Sequence, residues 1–241
     1  VTQAQTEDRT DPVAHAADLA ARYGHLHGAE LLRPLLTGDL KGRIALVSSF
    51  GTESAVLLHM VAEIDPGVPV IFIDTGKLFG ETLRYRDRLV ALLGLTDLRS
   101  PGPDPAEEAR EDADGGLWRR DAGACCALRK VRPLGRALAP FDAWITGRKR
   151  FQAATRAVLP AVEAADGRIK VNPLAGWSRQ DLTAYLDRHG LPRHPLEADG
   201  FLSIGCMPCT DRVAPGEDIR AGRWRGQGKT ECGIHRPAPA G

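Results

Sequence analysis

The sequence predicts an α/β fold with a doubly wound parallel sheet and an irregular C-terminal segment. Two observations carry this. Short apolar, β-rich runs alternate with segments whose apolar residues recur at helical spacing, the pattern of a parallel sheet covered by helices. The chain has 241 residues with 43% hydrophobic content, enough for one full α/β core.

Taken in order, residues 1–12 are polar and predict a disordered tail. Residues 13–37 carry apolar positions at helical spacing and predict one or two helices. Residues 43–50 (RIALVSSF) read as a buried parallel strand. Residues 53–64 read as a covered helix, and 68–74 (VPVIFID) as a second strand. Residues 78–93 form an amphipathic helical stripe. Residues 96–100 suggest a third strand, and the polar stretch 101–116 holds at most a short surface helix. Residues 124–132 look helical, with a kink or break expected at Pro133 because proline loses a backbone hydrogen bond. Residues 141–146 and 170–174 predict two more strands, and 178–189 a helix capped by Ser178. From Pro192 onward Gly, Pro and Arg dominate and periodicity fades. The expected organisation is a tail at 1–12, an α/β domain at 13–198 that includes Cys125 and Cys126, and a C-terminal segment at 199–241.

Composition narrows the function classes. The net charge of +1 provides no global field for nucleic acid or an anionic membrane. No apolar run approaches the ~20 residues that span a bilayer. The N-terminus is polar and acidic, unlike a secretory signal. Five cysteines, an odd count, point to a reducing cytoplasmic setting rather than a disulfide framework.

Those cysteines are the most specific signal. Cys125 and Cys126 are adjacent, Cys206 and Cys209 form a CxxC, and Cys232 stands apart. Adjacent cysteines suit a single zinc ion poorly, whereas a [4Fe–4S] cube offers each thiolate its own iron. The bland alternative is that buried cysteines act as small hydrophobes. Lys130 follows Cys126 by four residues, on the same face if the segment is helical, and would offset cluster charge. Cys232 lies near Arg225, Lys229 and His235, and cationic neighbours favour the thiolate form. The turn SSFGTES (48–54) joins a strand to a helix. Its hydroxyls and Gly51 can cradle a phosphate or simply cap the helix. IDTG (73–76) ends the next strand and could border a nucleotide or be a capped turn. Arg220, Arg223, Arg225 and Lys229 could clamp an anion, with Trp224 as an aromatic face. Arg148, Lys149 and Arg150 form a second basic cluster.

Together, SSFGTES, IDTG, CCALRKVRPL, TGRKR, KVNPL, SIGCMPCT, PGEDIRAGRW and ECGIH resemble the assimilatory phosphoadenylyl/adenylyl sulfate reductase family. The resemblance runs from about Arg43 to His235. It implies the adenine-nucleotide α-hydrolase (PP-loop) type of fold. The two cysteine pairs resemble the iron–sulfur branch, which implies an adenylyl-sulfate reductase forming sulfite for cysteine biosynthesis. Residue by residue, it implies Cys125, Cys126, Cys206 and Cys209 as ligands of a [4Fe–4S] cluster and Cys232 as the nucleophile. It places Lys130, Arg220, Arg223 and His235 around the sulfate and phosphate. The turn with Ser48, Ser49, Gly51, Thr52 and Glu53 is implied to hold the phosphosulfate, and Asp74 and Thr75 the adenosine, with Gly147 and Arg148 at the next strand end. The GTES form of the loop is nearer some 3′-phosphoadenylyl enzymes, so the alternative substrate is the 3′-phosphorylated nucleotide.

The expected partners are adenosine 5′-phosphosulfate, its product AMP and thioredoxin or a similar dithiol. Nucleic acid and membrane are not expected, and a homo-oligomer is compatible. The expected reaction passes through an S-sulfocysteine on Cys232. Two other classes have their own signatures. An ATP pyrophosphatase-type enzyme that thiolates tRNA would carry an SGGxDS loop, which SSFGTES is not. A non-catalytic iron–sulfur sensor would use the paired cysteines and have no need of Cys232.

Overall fold

The computed structural model of the chain describes residues 11–152, 158–229 and 231–235. Helix α1 (Pro12–Tyr23) begins inside the stretch expected to be disordered. Asp11 accepts the Val13 N–H, and Pro12 occupies a first-turn position that needs no donor. The remainder of that expectation, residues 1–10, lies outside the described residues. Helix α2 (Gly28–Pro34) follows and runs into a π turn at Leu35–Asp39.

Strands β1 (Ile44–Val47), β2 (Val70–Ile71), β3 (Leu98–Arg99), β4 (Ala143–Ile145), β5 (Val162–Ala165) and β6 (Arg168–Val171) form a six-stranded sheet. Their order is β3-β2-β1-β4-β6-β5. β1 lies between β2 and β4 and is parallel to both. The chain winds outward from β1 to β3, then crosses to the other side of β1 at β4. A crevice opens at the carboxyl ends of β1 and β4, where that order reverses.

Two expectations need correction. β5 has no counterpart among the strands the sequence predicts, and it pairs antiparallel with β6, so the sheet is mixed. Asp166 and Gly167, both at positive φ (56° and 69°), form the two-residue turn between them. The chain also does not break at Pro133. Helix α7 (Ala122–Cys126) passes through a π turn (Ala127–Val131) into α8 (Arg132–Leu138). The Arg132 N–H bonds the Ala127 carbonyl five residues back, and Pro133 then falls in the first turn of α8, where its missing donor costs little.

Helices cover both faces of the sheet. Ile44 and Leu46 of β1 and Ala143 and Ile145 of β4 face a core shared with α1, α2, α3 (Ser54–Ala62), α4 (Gly80–Leu93) and α9 (Arg179–Arg188). The alternate residues, Ala45 and Trp144, face Leu134 and Leu138 of α8. Helix α3 is apolar nearly all round and buries Ala55, Val56, Leu57, Leu58, Met60 and Val61. Each larger side chain there contributes roughly 1.5–3 kcal/mol of transfer free energy. The polar stretch 101–116 holds the short helix α5 (Pro105–Glu111), and α6 (Leu117–Arg120) leads into the cysteine helix.

Residues 199–235 contain no α-helix or extended strand among the described residues. One 3-10 turn, Met207–Cys209, interrupts them. The Met207 N–H donates to Lys77 O at 2.8 Å, and Leu78 bridges Cys206, which docks the CxxC on the turn after β2. Among the described residues no helix is long and apolar enough to cross a membrane.

Candidate active site

A cavity of about 260 Å³ occupies the crevice. Its walls come from the carboxyl ends of β1, β2 and β4 and from the C-terminal segment. Ser48, Ser49, Gly51, Thr52, Glu53, Thr75, Lys130, Gly147, Arg148, Arg220, Arg223, Cys232 and His235 all line it. Segments separated by up to about 190 residues in sequence thus meet because a parallel sheet brings its strand ends to one edge.

Among the sequence candidates, Arg150, Arg225 and Lys229 do not line the cavity, and neither does Asp74. Its Oδ1 accepts the Gly76 N–H at 2.9 Å, closing the turn on itself, and Thr75 takes the inward place. Ser48 is also partly committed. Its Oγ accepts the Phe50 N–H at 3.2 Å, so the hydroxyl retains its proton for a ligand. Phe50 sits at φ 48°, a costly conformation for a non-glycine residue, and is fully buried edge-on against Phe72. Thr52 Oγ1 donates to Leu202 O at 3.3 Å, joining the loop to the C-terminal segment.

The cavity is electrostatically lopsided. At the β4 end, Arg148 pairs with Glu163 and Lys149 pairs with Glu53. At the tail end, Lys130 and Arg223 have no carboxylate partner among the described residues. Burial works against the charge of Lys130, but the thiolate forms of Cys206 and Cys232 outweigh it and raise its pKa. Burial, then Arg220, pushes Arg223 below the ordinary arginine range. Arg223 Nη1 donates to Ile204 O at 3.2 Å, its guanidinium lies 4.4 Å from the Trp224 ring centroid, and its buried Nε has no partner among the described residues. Arg220 meets Glu231 at 3.5 Å. An anion would complete the tail end of the site.

A second, much smaller cavity adjoins the first. Cys125, Cys126, Cys206 and Cys209 all line it, with Lys77, Arg129, Lys130 and Trp224. Lys130 and Trp224 border both cavities. Cys125, Cys126 and Cys206 are buried, and Cys209 is partly exposed. Burial, then Cys126, pushes the Cys125 thiol up to about 11. Burial and the thiolate forms of Cys206 and Cys126 also raise Cys209. Cys206 is the contrast. Burial would raise it, but Lys130 and the Thr75 hydroxyl, 3.3 Å away, together hold it below the ordinary range. Among the described residues, no three Cys, His, Asp or Glu side chains form a single-ion set. The four thiols share one void, and as a donor set they fit an iron–sulfur group.

The tail docks through two further contacts. His235 stacks on Trp144, with ring centroids 5.5 Å apart and planes 5° apart, and Ile234 packs on the Ala45–Leu134 side of the sheet. Sequence reasoning missed Trp144 and Arg129. Trp144 reads there only as a strand residue. Arg129 stands beside Lys130 in CCALRK and near the acidic run EEAREDAD, which was a usable signal for a buried ion pair.

Residues 43–212 match the family model described as the phosphoadenosine phosphosulfate reductase domain. The chain is 56% identical over 229 residues to an adenosine 5′-phosphosulfate reductase of Mesorhizobium japonicum, covering 95% of this chain and 90% of that protein. It is 41% identical to the enzyme of that name from Streptomyces coelicolor, covering 98% and 100%. It is 44% identical to a phosphoadenosine 5′-phosphosulfate reductase of Gloeobacter violaceus, covering 80% and 82%. Among solved structures, a phosphoadenylyl-sulfate reductase from Candida auris in a phosphate complex superposes with a TM-score of 0.68 at 27% identity, covering 88% of this chain and 99% of that one. Yeast FAD synthetase shares the fold alone, with a TM-score of 0.52 at 15% identity, covering 83% and 75%.

Proposed function

The chain belongs to the phosphoadenosine phosphosulfate reductase family, and from that premise we propose that it reduces adenosine 5′-phosphosulfate to sulfite and AMP. One observation carries the reading. Lys130 and Arg223, cations without a carboxylate partner among the described residues, border the cavity that Cys232 also lines. A phosphosulfate group placed there supplies the missing negative charge and sets its sulfur within reach of a thiolate.

The Cys232 thiolate attacks the sulfate sulfur. The bond from sulfur to the bridging oxygen breaks, and AMP leaves with that oxygen and its electron pair. Lys130, Arg220 and Arg223 stabilise the charge that builds on the leaving phosphate. Cys232 then carries an S-sulfonate. A thiolate from thioredoxin or a similar dithiol attacks the Cys232 sulfur and expels sulfite. The second thiol of the donor closes its disulfide and restores the Cys232 thiolate. Sulfur gains two electrons, and the dithiol loses two.

Cys125, Cys126, Cys206 and Cys209 would hold a [4Fe–4S] cluster. When bound, it supplies negative charge beside Lys130, in a structural and electrostatic role. The Mesorhizobium and Streptomyces relatives support the adenylyl reading. The Gloeobacter relative, named for the 3′-phosphorylated nucleotide, is the reason to assay both.

Replacing Cys232 with serine tests the proposal. Cys232→Ser is expected to abolish sulfite release with thioredoxin and to keep its iron and brown colour. The wild type, incubated with substrate alone, is expected to gain about 80 Da on Cys232, the mass of a sulfonate on the thiol. Sulfite production by the serine variant at the wild-type rate would end this reading.

A further inference from the structure

Arg129 is 3% exposed, and its guanidinium is spread over three partners. Nε and Nη2 donate to Asp112 Oδ2 at 3.1 and 2.6 Å, Nη2 also meets Glu108 Oε1 at 2.6 Å, and Nη1 donates to the Thr75 carbonyl at 2.9 Å. Asp112 is itself buried and accepts the Leu117 N–H at 2.6 Å. Glu108 and Asp112 belong to the polar excursion between β3 and the cysteine helix, a stretch that the sequence marks only as surface. Its carboxylates hold a buried cation whose remaining donor reaches the turn after β2.

That turn is where both cavities meet. The Thr75 hydroxyl sits 3.3 Å from Cys206 Sγ and also accepts the Lys77 N–H at 3.2 Å. Lys77 in turn holds the CxxC backbone through its carbonyl and the Gly115 carbonyl through Nζ, at 2.8 Å in each case. Arg129 lines the cysteine cavity, and Thr75 lines the substrate cavity. We infer that Arg129, clamped by Asp112 and Glu108, is a positioning residue that fixes Thr75 and, through it, the sulfur of Cys206 for the iron site. The inference rests on the four-thiol reading above.

The geometry favours a positioning role over simple stabilisation. A buried ion pair gains little over a well-packed apolar replacement, because both charges must be stripped of water. Here the third arm of the fork is spent on one backbone carbonyl, next to a hydroxyl in contact with a candidate ligand sulfur. Partners one step removed from a metal typically change its affinity 10–100-fold when removed.

The test compares anaerobically purified wild type, Arg129→Met, Arg129→Lys and Thr75→Val. Arg132→Met is the control, since Arg132 lies on the same helical run but pairs with Glu111 at the surface. Iron per chain, the visible spectrum, the half-time of iron loss to a chelator and the thermal midpoint are read for each. Arg129→Met is expected to lose iron about tenfold faster or more. Arg129→Lys, which keeps the charge but not the fork, is expected to fall between it and wild type. Thr75→Val, which needs no buried charge to be rehoused, is expected to shift the spectrum and speed iron loss in the same direction. Arg132→Met is expected to match wild type. Wild-type spectra and half-times in both Arg129→Met and Thr75→Val would overturn the inference while leaving the cluster reading intact. Iron-free wild-type protein would overturn both.

Discussion

At the scale of single residues, Gly205 shows how tightly the site is drawn. A Cβ at this position would lie 2.2 Å from Arg223 Nη2 and 2.6 Å from its Cζ. The guanidinium lies across bare backbone, and only glycine leaves it room. Gly205→Ala is therefore expected to displace Arg223 and lower kcat/KM for the nucleotide by about tenfold or more, the scale of one hydrogen bond to a charged group. Steady-state kinetics check this, and an unchanged kcat/KM would mean that Arg223 does not meet the substrate. Asp74 and Thr75 make a complementary point. Neighbours in sequence, they take opposite roles: one carboxylate folds back on its own turn while the adjacent hydroxyl faces Cys206. Nothing in the letters D and T distinguishes these outcomes.

At the scale of elements, the helices and the central strands were legible because each carries its own period or apolar run. Helix α9 even shows its capping box, with Ser178 and Asp181 each holding the other's backbone N–H. β5 was not legible. VEAA has no strong strand signal, and its placement depends on pairing with β6. The Asp166–Gly167 pair was the one local clue. The strap from 192 to 197 owes its position to a buried histidine. His194 Nδ1 accepts the Leu196 N–H at 3.2 Å, so its Nε2–H donates to Thr82 Oγ1 of α4 at 3.1 Å. Only the neutral ring can make both bonds, and burial lowers the His194 pKa from 6.5 to about 4. The unfolded chain therefore binds the proton more readily between these values. This stabilisation is present above pH 6.5 and is lost as pH falls toward 4. Between pH 7 and pH 5 this single group is expected to remove about 2 kcal/mol of stability. Urea titrations of wild type and His194→Gln at both pH values check it, with the variant expected to lose that part of the pH slope.

At the scale of the whole molecule, the C-terminal segment closes the strand-end crevice. Cys232 lines the cavity, His235 stacks on Trp144, and Ile234 joins the core on the α8 face. In the proposed reaction Cys232 meets an enclosed nucleotide and then a protein dithiol, so that reading requires this lid to open between steps. Limited proteolysis is expected to cut the tail several-fold more slowly with AMP than without. Equal rates would count against gating. The sequence by itself determined the α/β class, the division of the sulfurs into two pairs and one outlier, and the residue types gathered for an anion. These are local facts, held in apolar periodicity and in the chemistry of short motifs. Only the tertiary structure decided which cations lack a carboxylate among the described residues, that Asp74 turns away, and that an acidic surface stretch clamps Arg129 beneath Thr75. Those outcomes depend on which distant segments the sheet order brings together, and on the desolvation that follows when they meet. Neither can be read from neighbours along the chain.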